Sequence, residues 1–341
     1  NLNDEDKSKY REISQKLTLL SPKFSDNVLK ATNATNEYWI TDVDDIQGLP
    51  DSAVNAAKES ALSKDKPNDW CFSLDTNFSA LMKFCKNRNI RQEVLKIFGS
   101  KCNGGKYDNS EILQEISKLR HQKANLLGYK THADFTLKRR MAENKDRVYK
   151  LIDDLIVPSY NGAKKETEAV KEYALKIDNL NDFNAWDSAY YSELYKQSLH
   201  DFNEECLRPY FDSKNVIQGV FKVAHKLYGL NFEQLDEVQV YHDDVKVYKV
   251  TADNDKYVGL LYEDLHPRPT KRGGAWMNQL RSQGLYKGQI QEPHVTFNCN
   301  LTKPTKTMPA LLSINEVRTI FHEFGHCLHG LLTNVKYRSL G

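Results

Sequence analysis

"TIFHEFGHCLHG", residues 319–330, sets His322 and His326 four positions apart with Glu323 directly after the first. Upstream, Ser313 and Glu316 form an S-x-x-E capping box, which predicts a helix that begins at Ser313. On that helix Val317, Ile320, Phe321, Phe324, Leu328 and Leu331 gather on one side, and His322, His326 and His329 fall roughly opposite. Imidazoles at i and i+4 stand one above the other and can share one tetrahedral Zn²⁺. Glu323 is not needed as a ligand, and its place beside His322 suits it to take a proton from a water that attacks a carbonyl carbon. The chemistry expected of this stretch is metal-assisted amide hydrolysis.

Two histidines fill only half of a tetrahedral shell. His329 lies two turns from His322, too far for three rings on a straight helix to meet one ion, so it reads as a supporting or structural residue. Cys327 points away from the histidine face and reads as a buried thiol. Residues 327–341 hold no Asp or Glu, so a third, carboxylate ligand comes from upstream or from outside these residues. Gly325 costs about 1 kcal/mol relative to Ala in a helix interior. That loss points to close approach of another backbone or a substrate, or to a packing requirement.

The remaining 300-odd residues read as mainly α. Glycine and proline are scarce, at 16 and 10 of 341 residues, and charged residues make up 28 %. Charge is balanced, 48 basic side chains against 46 acidic ones, so no electrostatic footprint for nucleic acid or an anionic membrane is present. No apolar run is long enough to span a bilayer. The six cysteines are scattered without a CxxC pair, which favours reduced thiols and the cytoplasm. The chain begins at Asn1 rather than Met, which leaves a signal peptide and a periplasmic location open.

Tyr10, Ile13, Leu17, Leu20, Phe24 and Val28 recur at three- and four-residue steps and predict an amphipathic helix. Further helices are predicted after Pro50, from Asn109 to Gly128, from Asn144 to about Ile177 with an interruption at Pro158, over "AWDSAYYSELYKQSL", and over "SKNVIQGVFKVAHKLYG" with Leu227 on its apolar face. Near residue 238 the texture changes. "VKVYKVT" and "YVGLLYED" predict a hairpin, and "HVTFNC" a short strand before the histidine helix. The expected organisation is a helical body over 1–237 and a β element with the catalytic helix over 238–341. Thr296, Phe297 and Asn298 are the candidate substrate-binding residues, on the expectation that this strand offers a free edge to an extended peptide.

Taken in order, "NVLKATNA", "GLPDSAVNAA", "LLYEDLHPRPTKRGGAWM", "CNLTKP", "PALLS" and "FHEFGHCLHGLL" resemble the thimet-oligopeptidase family of zinc peptidases, nearest its peptidyl-dipeptidase and oligopeptidase A branch. The resemblance runs along nearly the whole chain. It implies a helical, zincin-like body in two lobes around a deep channel, short peptide substrates, one Zn²⁺, and a monomer. It assigns His322 and His326 as ligands and Glu323 as general base. The family's third ligand is a glutamate on a following helix, which would lie beyond Gly341, and the resemblance implies a further segment before Asn1. Release of C-terminal dipeptides is the expected activity, with Arg268, Lys271 and Arg272 as candidate contacts to a peptide carboxylate. Endo-acting cleavage of oligopeptides is one alternative, and a catalytically incomplete chain that only binds peptides or a partner is another.

Overall fold

The computed structural model describes residues 2–304 and 308–341. In chain order it runs α1 (Asp4–Ala34), β1 (Glu37–Ile40), α2 (Asp51–Leu62), β2 (Trp70–Ser73), α3 (Leu74–Phe84), α4 (Arg88–Gly99), α5 (Ser110–Leu126), α6 (His132–Leu137), α7 (Lys145–Asp178), α8 (Ala185–His200) and α9 (Ser213–Tyr228). There follow β3 (Leu230–Leu235), β4 (Lys246–Ala252), β5 (Tyr257–Asp264), β6 (Trp276–Arg281), β7 (Gly284–Tyr286), β8 (Gln289–Gln291), β9 (His294–Asn298) and α10 (Ile314–Leu332). The architecture is mainly helical with small sheets. No helix among the described residues is long and apolar enough to cross a membrane.

Two compact units divide the chain: Asn1–Glu37 with Leu81–His200, and Tyr38–Ala80 with Asp201–Gly341. The change of texture near residue 238 is therefore not where the compact units part. Helix α9 belongs with the strands because Val216, Ile217, Val220, Phe221 and Ala224 pack into the same core as β3, β4, β5 and β9. Strand β3 already begins at Leu230, directly after Gly229 closes α9 in the left-handed conformation (φ 64°). Leu227, placed on the apolar face from sequence, is instead 65 % exposed.

In the first unit α1 lies along α5, and α4 against α8. The α4–α8 contact is fixed by a buried ion cluster. Arg88 makes two hydrogen bonds to the Asp187 carboxylate (2.9 and 2.8 Å), and Arg91 makes a third (3.1 Å). Burial pushes the Asp187 carboxyl up, yet hydrogen bonds from Arg88, the Asn184 amide and Arg91 hold it below the usual range. Helix α7 does not break at Pro158 but continues through it to Asp178.

The second unit is built on a five-stranded sheet of order β3-β4-β5-β9-β6, antiparallel except for the β5–β9 pair. The hairpin expected from sequence is β4–β5, and β9 is the expected short strand. Strand β9 is not an edge, however. It pairs with β5 on one side and β6 on the other, and Thr296, Phe297 and Asn298 are 4 %, 0 % and 4 % exposed. The Thr296 hydroxyl donates to Asn278 O (3.3 Å) and the Asn298 amide to Trp276 O (3.1 Å), so these polar groups serve the sheet. Their assignment as peptide-binding residues is corrected accordingly. The free edge of the described sheet on this side belongs to β6.

Candidate functional site

Helix α10 starts as its capping box dictates. The Glu316 amide donates to Ser313 Oγ (3.2 Å), and the Ser313 amide donates back to Glu316 Oε2 (2.7 Å). Arg208 ties this end down further, donating to Leu311 O (3.1 Å) and lying 3.4 Å from Glu316 Oε2.

The buried face of α10 comprises Ile320, Phe324, Cys327, Gly330 and Leu331. Phe324 sits amid Phe221, Phe232 and Phe297, with ring centroids 5.8, 5.8 and 6.0 Å away. Phe321, expected on this face, is 42 % exposed. Cys327 is fully buried as expected, and burial pushes its thiol well above the ordinary range. The close approach lies at Gly330 rather than at Gly325. A Cβ on Gly330 would stand 3.2 Å from Val295 Cγ2 and 3.4 Å from Gln279 Nε2 and Met277 Cε, whereas one on Gly325 meets nothing within 4 Å. Gly330 is thus where the helix is seated against β9 and β6, a role that the run "HGLL" does not reveal by itself.

With that face anchored, His322, His326 and His329 are all exposed and Glu323 is half-buried. The His322 and His326 rings lie 5.0 Å apart between centroids, at 82° to each other. Beside them opens a pocket lined by Tyr228, Gly325, Leu328, His329 and Leu332. Among the described residues no group of three or more His, Cys, Asp or Glu side chains could hold a metal ion. The donor set therefore suits a zinc ion in part: two neutral-capable nitrogens at chelating spacing, with a further protein ligand still required.

The basic loop after β5 is engaged internally. Arg268 donates two hydrogen bonds of 2.8 Å to Asp264. Lys271 is buried and donates to Asp264 Oδ1, Asp264 O, His266 O and Cys299 O. Burial pushes Asp264 up, but these cations outweigh it and hold the carboxyl below the usual range; burial likewise lowers Lys271, partly offset by Asp264. Arg272 lies over the Trp276 ring, 4.3 Å from its centroid. Arg268 and Lys271 are thus unavailable to a substrate carboxylate, contrary to the sequence expectation.

Residues 81–341 match Peptidase family M3. The chain belongs to that family. It is 35 % identical over 339 residues to oligopeptidase A of Escherichia coli (strain K12), covering 97 % of this chain and 50 % of that protein. Organellar oligopeptidase A, chloroplastic/mitochondrial, of Arabidopsis thaliana is 36 % identical over 347 residues, covering 97 % and 44 %. The dipeptidyl carboxypeptidase of Escherichia coli (strain K12) is 28 % identical over 340 residues, covering 98 % and 50 %. The chain thus spans about half the length of the curated relatives it matches.

Proposed function

We propose that these residues are the part of an M3 peptidase that carries the HExxH helix, and that the whole enzyme hydrolyses peptide bonds in short oligopeptides. The observation that carries this reading is the exposed pair His322 and His326, one turn apart, with Glu323 between them on a helix whose other face is locked in the core. His322 and His326 would hold Zn²⁺, and the third ligand would be a carboxylate beyond Gly341. The pocket beside the histidine face, of mixed polar and apolar lining and bounded by Leu340 and Gly341, leaves room there for chain that follows Gly341. Zinc, when bound, supplies Lewis acidity toward a peptide carbonyl and toward water. Glu323, within reach of the same side of α10, accepts the proton and returns it to the departing amine.

The free edge of β6 is the better candidate for aligning an extended peptide, because Met277 and Gln279 already lie against α10 at Gly330. Cleavage inside oligopeptides is the reading taken over dipeptide release, because identity to oligopeptidase A exceeds that to the dipeptidyl carboxypeptidase. Of the three basic residues expected at a peptide carboxylate, Arg268 and Lys271 are spent on Asp264, which leaves the exposed Arg272.

Glu323→Gln in the full-length polypeptide should retain zinc while peptide hydrolysis falls about 10²–10⁴-fold. Near wild-type turnover by the zinc-loaded variant would remove Glu323 from the mechanism. Peptides with an amidated C-terminus separate the two activities: an endo-acting enzyme cuts them, and one that grips a free carboxylate does not.

A further inference from the structure

In helix α7 every residue from Tyr149 to Glu168 is exposed, about 30 Å of helix with no covered side. This stretch is nonetheless amphipathic. Ile152, Ile156, Ala163, Val170, Ala174 and Ile177 follow one another at helical steps along a single face, flanked by Leu151, Leu155 and Tyr160. The opposite face pairs its own charges, Lys150 with Asp154 (2.9 Å) and Lys164 with Glu168 (3.9 Å).

The apolar face changes character along its length. Towards the C-terminal end α8 covers part of it: Ala174 is fully buried, Tyr173 packs on Tyr195 (5.3 Å between ring centroids) and Tyr191 donates to Asp178 (2.8 Å), while Ile177 at the very end is 41 % exposed. Towards the N-terminal end the same face is bare, with Ile152 44 %, Leu155 57 %, Ile156 52 % and Tyr160 68 % exposed. The covered contact therefore continues into an uncovered one without a change of pattern. Pro158 and Gly162 fall inside the bare stretch, and both weaken a helix interior. A free helix of this length is marginal even without them, so a packing partner is needed to hold it.

We infer that the bare face, Tyr149 to Tyr160, is a docking surface for apolar helix from the portion of the M3 chain that lies outside these 341 residues. The relatives are about twice as long as the matched region, which leaves roughly as much polypeptide again to cover it. Its charged back needs no cover, so the occupant meets one side only and presents aliphatic or aromatic side chains.

Amide hydrogen exchange tests this, comparing residues 1–341 with the polypeptide extended to the relatives' length. In the shorter chain, peptides over Tyr149–Glu168 should exchange within about tenfold of the unstructured rate, while those over Lys171–Leu175 are slow. In the longer chain, protection over Tyr149–Tyr160 should rise by at least 100-fold. The double variant Leu155→Glu, Ile156→Glu should leave the melting of residues 1–341 unchanged and abolish the added protection in the longer chain. Equal exchange in both lengths would overturn the inference. So would protection already present in the shorter chain that rises with concentration alongside dimer formation, since the occupant would then be a second copy. Neither readout involves peptidase activity, so the inference stands or falls separately from the proposed function.

Discussion

Of two glycines on α10, only one should be stabilised by alanine. Gly325→Ala meets nothing within 4 Å, so only the helix term changes and the protein should gain about 1 kcal/mol. Gly330→Ala gains the same term but places its methyl 3.2 Å from Val295 Cγ2, an overpacking that costs about 1–3 kcal/mol, while Gln279 and Met277 at 3.4 Å are in ordinary contact. The net for Gly330→Ala is thus between nothing and a loss of about 2 kcal/mol, and the two variants should differ by the packing cost alone. At about 2–4 °C per kcal/mol for a unit of this size, their melting temperatures should separate by about 2–12 °C. Thermal unfolding followed by tryptophan fluorescence is suitable because Trp276 lies on β6, in the unit that holds both glycines. Equal stabilisation by both substitutions would refute the seating of α10 through Gly330. Destabilisation by Gly325→Ala would show that something outside the described contacts approaches the histidine face.

Three further outcomes follow from the same residues. His322→Ala and His326→Ala should each lower zinc occupancy of the full-length polypeptide, while His329→Ala should not; equal loss in all three, read by metal analysis after dialysis, would redraw the ligand set. Lys271→Met removes the ammonium that serves Asp264 and three backbone carbonyls, and should cost about 3–5 kcal/mol by urea unfolding; a loss under 1 kcal/mol would mean that water replaces it. Glu263 is buried with Oε2 unpartnered, and desolvation raises its pKa above the ordinary 4.5 despite Lys246 at 3.7 Å. Its folded state therefore holds the proton more tightly than the unfolded one, and stability is lost as pH rises above 4.5. Glu263→Gln should accordingly match wild type at pH 4 and exceed it as pH rises, levelling off once the folded-state carboxyl ionises, and a gain independent of pH would refute the assignment.

The helices that carry chemistry were the most legible parts of the chain. Ser313 and Glu316 fix the start of α10 through local hydrogen bonds alone, so four residues suffice to set the phase of the histidines. What the sequence hid depends on distant partners. Nothing within "HVTFN" reveals that β6 pairs with its second side, because Trp276–Arg281 lies some 20 residues away and follows a Gly-Gly pair that reads as loop. Arg268 and Lys271 resembled substrate contacts because a basic loop shows its charge but not the buried Asp264 that consumes it. Phe321 and Leu227 fit the apolar arc of their helices yet stay exposed, because that arc is wider than the strip its neighbours cover. Pro158 signals an interruption, yet α7 runs through it.

The parallel pairing of β5 with β9 imposes an order on synthesis. As the ribosome extends the chain, β3, β4 and β5 form a meander of local turns, and β6 is made next, but β6 finds no partner in β5. A slot stays open between them until His294–Asn298 emerges and completes both ladders at once. Until then the nascent sheet presents the backbone of Tyr257–Asp264, with Leu261 unpacked, as an adhesive margin of the kind that recruits foreign strands. The floor on which α10 rests is thus the last strand laid, and a nascent chain stalled before residue 294 would be a substrate for chaperones rather than a partly built enzyme.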